Sequence, residues 1–191
     1  MPRGVARDHD AKRTALRKGA AGYFAHHGYD RASMTGAARA CGVSKALIYH
    51  YYDSKEALLF DILDAHLSEL AEVVDAARGD GLSGLIAAIL SAYEDADAEH
   101  KLQLDALDTL PAPLRDPLVA LQRQLVGTMS EAIGDEVPHL GGDRLRAATM
   151  TVFGILNWFY MWHRPGRGLS RADYAGFATD FVRGGLANLG A

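Results

Sequence analysis

One cysteine, Cys41, stands in 191 residues. A lone thiol cannot close an internal disulfide, and without clustered Cys and His partners it cannot build a structural zinc site, so a reducing compartment is expected. Cys41 itself reads as a small core residue. No run of about 18 apolar residues is present to cross a bilayer. The polar start MPRGVARDHDAKR lacks the apolar stretch of a secretory signal, so a cytoplasmic location without a membrane partner is expected. Strand-like alternation, internal repeats and low-complexity tracts are missing too. The chain contains no H-E-x-x-H, no G-x-S-x-G and no phosphate loop. Its eight histidines (His9, His26, His27, His50, His66, His100, His139 and His163) lie scattered over polar faces or helix ends. His66 and His100 with Asp97 are the one set that suggests a metal, and they read better as solvated polar residues. No catalytic residue, metal or cofactor is therefore expected, and an enzyme is not.

What the chain does have is an uneven charge. The formal net charge is −4, yet residues 1–55 carry ten Lys and Arg against four acidic residues, and the rest carries ten basic against twenty acidic. A basic head on an acidic body suits a protein that presents one end to a polyanion.

Helical periodicity runs nearly throughout, which predicts an all-α fold. Helices are expected over about 8–27, 34–41, 45–51, 54–78, 82–99, 101–110, 114–134, 142–163 and 170–189. In the first, Ala15, Leu16, Ala20, Tyr23 and Phe24 form the buried side, and Gly28 ends it. Ser33 and Ser44 are N-caps of the second and third. Pro111, Pro113, Pro138, Pro165 and glycines mark the later breaks. Charge and helix length both change near Ser54, which predicts domains at 1–53 and 54–191.

A short helix, a glycine-containing turn and a second short helix is the helix-turn-helix pattern, whose second helix enters the DNA major groove. In AARACGVSKALIYHYY, Ala37, Ala38 and Cys41 let two helices cross closely, Gly42 supplies the turn, and Val43 and Ile48 plug the crossing. Tyr49 and His50 offer donors on a face that Ile48 does not share. Tyr51 and Tyr52 are expected to pack the small domain instead.

The stretch CGVSKALIYHYYDSKEALL resembles the signature A-G-V-S-K-x-x-[LI]-Y-x-[HY]-F-x-[ST]-K-E-x-L of the TetR family of transcriptional repressors, over about residues 10–60. The resemblance implies a DNA-binding three-helix head and a C-terminal helical domain for ligand binding and dimerisation. It also implies that Lys45, Ala46 and Leu47 face bases or backbone, and that Tyr49, His50 and Lys55 meet phosphates. Ser44 leaves the first turn of its helix facing DNA, and the Ser33 and Thr35 hydroxyls reach a phosphate. Where the family often has Gly and Thr, this chain has Ala46 and Leu47, so thymine methyl groups become natural contacts. Tyr52 stands where the family usually has Phe.

Clamping DNA alone does not need some 135 further residues. RLRAATMTVFGILNWFYMWH, residues 144–163, is apolar on two stripes: Leu145, Ala148, Val152, Leu156 and Phe159 on one, Ile155, Trp158 and Trp162 on the other. One stripe is expected to close the chain's own core and the other to meet a second subunit. In the last helix Ser170 and Asp173 form a capping box, Tyr174, Phe177, Phe181 and Val182 an apolar stripe, and Gly176, Gly184 and Gly185 permit close approach. A homodimer through the last two helices, as the family usually has, predicts a palindromic operator on double-stranded DNA.

NWFYMWHRPGRGLS is similar to a C-terminal stretch of TetR-family repressors that respond to acyl-CoA thioesters. This implies a small-molecule effector whose phosphates meet Arg164 and Arg167, with Trp158 and Trp162 nearby. Leu104, Leu107, Leu121, Leu125, Met129 and Phe153 are candidates to line a tunnel for its acyl end. The same aromatics also read as dimer core and the arginines as surface charge. A free aromatic acid or a cationic lipophile is an alternative effector, the latter favoured if Glu94, Asp97 or Asp105 face the cavity. An architectural DNA-binding protein without a ligand is a third reading.

Overall fold

A computed structural model describes residues 3–164 and 166–189. The helices are α1 (Arg3–His27), α2 (Met34–Ala40), α3 (Lys45–Tyr51), α4 (Lys55–Ala76), α5 (Gly81–Ala92), α6 (Asp97–Ala106), α7 (Ala112–Glu136), α8 (Gly142–Asn157), α9 (Phe159–Trp162) and α10 (Arg171–Asn188). Among the described residues no helix is long and apolar enough to cross a membrane.

Three expected helices are cut differently. The one expected over 82–99 ends at Ala92, because Asp95 takes a left-handed φ of 60°, a conformation that Asp tolerates better than most residues. A new helix then starts at Asp97, whose carboxylate and that of Glu99 suit the positive end of the helix dipole. The helix expected over 101–110 is displaced to Asp97–Ala106, followed by a 3-10 turn over Leu107–Thr109. The helix expected over 142–163 stops at Asn157, where Trp158 closes α8 and only the single turn of α9 follows.

Packing gathers the chain into two compact units. The first comprises residues up to Leu67 with Ala96–Leu118, the second Ser68–Asp95 with residues from Val119 onward. The division by packing thus falls inside α4, whereas charge and helix length change at Ser54.

In the first unit α1 buries Leu16, Ala20, Ala21 and Phe24, while Ala15 is exposed and Tyr23 half-buried. Met34, Ala37 and Ala38 of α2, Ile48 of α3 and Leu58, Leu59, Ile62 and Leu63 of α4 complete this core. Glycine permits the contact between α1 and α2: a Cβ at Gly19 would lie 2.7 Å from the Cys41 sulfur, and one at Gly36 would overlap the Tyr23 hydroxyl. Cys41 is half-buried, its thiol 3.5 Å from the Leu16 carbonyl oxygen and pushed above its usual pKa by burial.

A buried carboxylate joins three of these helices. Asp61 of α4 accepts from the Arg13 guanidinium (Nε, 3.0 Å) and from the Tyr52 hydroxyl (2.6 Å), and Arg17 lies 3.7 Å away. Burial and then this hydrogen bond raise the Tyr52 pKa, and the Asp61 hydrogen bond raises that of Arg13.

His66 and His100, expected on solvated faces, are instead buried in this unit, with ring centroids 6.2 Å apart. α1 packs against α6, and Lys18 of α1 pairs with the buried Glu99 of α6 at 3.2 Å.

The second unit packs α10 against α5 and α8. Leu82, Leu85, Ile86, Ile89 and Leu90 of α5, Val152 and Leu156 of α8 and Val182 and Leu186 of α10 fill it. Phe159 is fully buried, stacked between His163 (4.3 Å) and Tyr174 (4.6 Å), with the Arg171 guanidinium 5.0 Å from its ring. The Tyr93 hydroxyl donates to Asn157 Oδ1 at 2.9 Å, fixing the end of α8.

Burial first, then the neighbouring His100, lowers the His66 pKa to about 4. The unfolded chain therefore takes up a proton near the usual histidine pKa of about 6.5 that the folded chain refuses until much lower pH. Stability is complete above that value and falls as pH drops towards 4, by on the order of 3 kcal/mol. Urea unfolding at stepped pH should show this acid limb, and His66→Leu should flatten it.

Candidate nucleic-acid interface and effector region

Local rules alone build the paired short helices. The Ser33 hydroxyl accepts from the Gly36 N–H and the Ser44 hydroxyl from the Leu47 N–H, each at 3.1 Å, so both helices begin on a satisfied cap. The turn between them closes as a Schellman motif: Gly42 adopts φ 67°, and the Val43 N–H reaches back to the Ala38 carbonyl at 2.9 Å.

α3 is held inward by one fully buried side chain, Ile48. Such a residue is worth about 2–5 kcal/mol against alanine. Its opposite face carries Lys45, Ala46, Tyr49 and His50, all exposed, with Tyr49 42% accessible and the Lys45 ammonium 5.7 Å from its ring centroid. Leu47 is half-buried, and Ser33, Thr35 and Ser44 are exposed. Tyr52 is core, as expected. Tyr51 also packs within the small domain: it is half-buried, stacked on His9 of α1 at 4.8 Å and edge-on to His50 at 5.6 Å. The nearness of His9 to α3 was invisible in the sequence, because a lone histidine early in a helix carries no signal of a ring 42 residues away.

Lys55 stands apart from that face. Its ammonium donates to the backbone carbonyls of Tyr29 (3.0 Å) and Ala32 (3.2 Å), with that of Asp30 at 3.5 Å, and lies 4.2 Å from the Tyr29 ring centroid. Of the ten basic residues in 1–55, Arg13, Arg17 and Lys18 also face internal carboxylates.

In the second unit the two stripes of α8 separate. Ala148, Val152, Leu156 and Phe159 are buried and Leu145 half-buried, whereas Ile155 is half-buried and Trp158 is 62% accessible. The stripe expected on α10 divides likewise, with Tyr174 and Val182 inward, and Phe177 and Phe181 outward at 57% and 65%. Two grooves run over this outward face. One of about 370 Å³ is lined by Ala147, Ile155, Phe181, Gly185 and Leu189 with Arg144 among them. The other, of about 500 Å³, is lined by Gly154, Trp158, Trp162, Tyr174, Phe177 and Phe181.

The candidate effector residues fall in different settings. Trp158 and Trp162 belong to the second groove. Arg164 and Arg167 are exposed on one turn, where the Arg167 N–H donates to the Arg164 carbonyl at 3.0 Å and the Arg164 guanidinium donates to the His163 carbonyl at 2.9 Å. Pro165, expected to break the chain here, lies outside the described residues. Leu107 is buried and Leu104 exposed in the first unit; in the second, Leu125, Met129 and Phe153 are buried and Leu121 half-buried. None of these six lines either groove on the outward face. Glu94, Asp97 and Asp105 are exposed. Among the described residues no cluster of three or more His, Cys, Asp or Glu could hold a metal.

These features match known proteins. Residues 16–62 match the family model "Bacterial regulatory proteins, tetR family", and residues 75–186 match "Tetracyclin repressor-like, C-terminal domain". An HTH-type transcriptional repressor of Mycobacterium tuberculosis is 34% identical over 98 residues, 51% of this chain and 50% of its own, so the chain spans about half the length of that curated relative. The crystal structure of a TetR-family transcriptional regulator from Bordetella parapertussis superposes with a TM-score of 0.84 at 30% identity, covering 89% of this chain and 93% of that one. The fold is also that of AibR, solved in complex with isovaleryl coenzyme A and operator DNA (TM-score 0.72, 23% identity, 90% and 96% covered). With capped short helices around Gly42, and with one family model covering more than half of its length, the chain belongs to the TetR family of bacterial transcriptional regulators, which bind DNA and are not enzymes.

Proposed function

We propose that the protein represses transcription as a homodimer on a palindromic operator and is released by a small-molecule effector, an acyl-CoA thioester. The observation that carries the DNA reading is the exposed face of α3. Lys45, Tyr49 and His50 stand outward while Ile48 points in, so a cation and two polar rings are available to the groove. Lys45, Ala46 and Leu47 read bases, with the apolar pair suited to thymine methyl groups. Tyr49, His50, Ser33, Thr35 and Ser44 hold phosphates.

The outward aromatics of α8 and α10 support the dimer. Trp158, Phe177 and Phe181 form a contiguous apolar surface too large to leave in water without cause. A second copy of the same two helices covers it with matching chemistry, making a four-helix interface. Two recognition helices then address successive major grooves about 34–36 Å apart.

For the effector, the support is chemical. Arg164 and Arg167 lie exposed on one turn, a suitable pair for phosphates. AibR, which shares the fold, binds isovaleryl coenzyme A. The ligand acts by favouring a dimer whose helix spacing fits the operator less well, which needs only a few kcal/mol of differential affinity.

Phe181→Glu should leave a folded monomer in sedimentation and weaken operator binding by roughly 100-fold or more, since the second half-site no longer adds its effective concentration. An unchanged dimer would move the interface elsewhere. Short-chain acyl-CoA esters should raise the melting temperature and lower operator affinity. Stabilisation by free aromatic acids or cationic lipophiles alone would replace the effector class and leave the DNA reading intact.

A further inference from the structure

Gly36 gives up its side chain to a phenol from another helix. It lies within the regular part of α2, so no left-handed backbone calls for glycine there, and glycine weakens a helix relative to alanine. The reason is a close approach. A Cβ at Gly36 would overlap the Tyr23 hydroxyl and the ring carbon that carries it, so the phenol of α1 lies directly across the backbone of α2. The His27 ring braces it as well, with its centroid 4.4 Å from that of Tyr23 and its Nδ1 2.9 Å from the Tyr23 carbonyl oxygen.

The hydroxyl held in this way has no use inside the protein. Among the described residues it has no hydrogen-bond partner, and Tyr23 is only half-buried, with its oxygen open to solvent. Packing alone would be served by a phenylalanine ring. The surroundings of the oxygen supply a partner from outside: Met34, Ala37 and Ala38 of α2 face inward, which leaves Thr35 and Arg39 exposed on either side of Gly36 in sequence. The Ser33 hydroxyl is tied to the same residue, accepting from the Gly36 N–H at 3.1 Å. The Tyr23 hydroxyl thus stands beside the two short side chains, Ser33 and Thr35, that are placed on phosphates above. In a helix-turn-helix the first helix crosses the DNA backbone while the second enters the groove, so a donor lying over the first meets phosphate rather than base edges. A phenol O–H facing a phosphate oxygen makes a charge-assisted hydrogen bond.

We infer that Tyr23 is a further DNA-contacting residue, whose hydroxyl donates to a backbone phosphate beside α2, and that position 36 is glycine so that the phenol can reach it. This rests on the DNA-binding reading above and extends the contact surface to α1, where Tyr23 was expected only to pack.

The test uses a duplex that the full-length protein selects from a random-sequence library, remade with single methylphosphonates, each of which replaces one phosphate oxygen by a methyl group and removes its charge. Affinity would be measured along this series for the unsubstituted protein, Tyr23→Phe and Gly36→Ala. Tyr23→Phe keeps the ring and loses only the hydroxyl. It should bind the unmodified duplex roughly tenfold more weakly, with its urea midpoint unchanged and its salt slope unchanged because no charge is lost. One methylphosphonate position in each half-site should weaken the unsubstituted protein and have distinctly less effect on Tyr23→Phe. Gly36→Ala, which pushes the phenol aside without removing it, should lose sensitivity at the same position. Unchanged affinity in Tyr23→Phe would overturn the inference. So would a loss of affinity that leaves the methylphosphonate profile the same at every position, since the hydroxyl would then be structural. Retained sensitivity in Gly36→Ala would overturn the role given to the glycine. If the unsubstituted protein selects no duplex at all, the DNA reading itself fails, and the assignment of Tyr23 with it.

Discussion

Asp61 is the charge on which the first unit depends. A carboxylate is costly to remove from water unless its oxygens are occupied, and here a guanidinium and a phenol occupy them. The three groups come from α1, the end of α3 and α4, so satisfying one buried anion fixes the relative placement of three helices. An apolar contact tolerates sliding by an ångström, whereas a two-oxygen acceptor held by directional donors does not. The precision of the outward face of α3 therefore derives from a residue that is not on it.

This network changes how the charge of the head should be read. The basic excess in residues 1–55 suggested a broad cationic surface, but Arg13, Arg17 and Lys18 face Asp61 and Glu99, both supplied from beyond residue 55. Lys55 faces backbone oxygens. Long-range attraction to a polyanion still feels every charge within a Debye length. The outward face of α3 presents Lys45, a matter of side-chain geometry rather than composition.

What the sequence disclosed follows from the range of the physics involved. Ser33, Ser44 and Gly42 act on neighbours within five residues, so caps and turn were legible, and with them α2 and α3. The two stripes of α8 were legible because helical periodicity is local. The partners of Asp61 lie 48 and 9 residues away, and the burial of His66 and His100 depends on how α1 meets α6; neither leaves a local trace. The breaks at Asp95 and Trp158 were missed because neither position holds the Gly or Pro that usually marks a stop. The ring on which Tyr51 stacks, His9, was not legible because it belongs to another helix.

Ile48 alone ties the middle of α3 to the interior, while the serine cap and glycine turn that start the helix belong to the preceding residues. The exposed positions Lys45, Ala46, Tyr49 and His50 are thus released from the jigsaw of the core. Substitutions there put little of the packed interior at risk, so this face can vary in sequence while the scaffold beneath it stays intact.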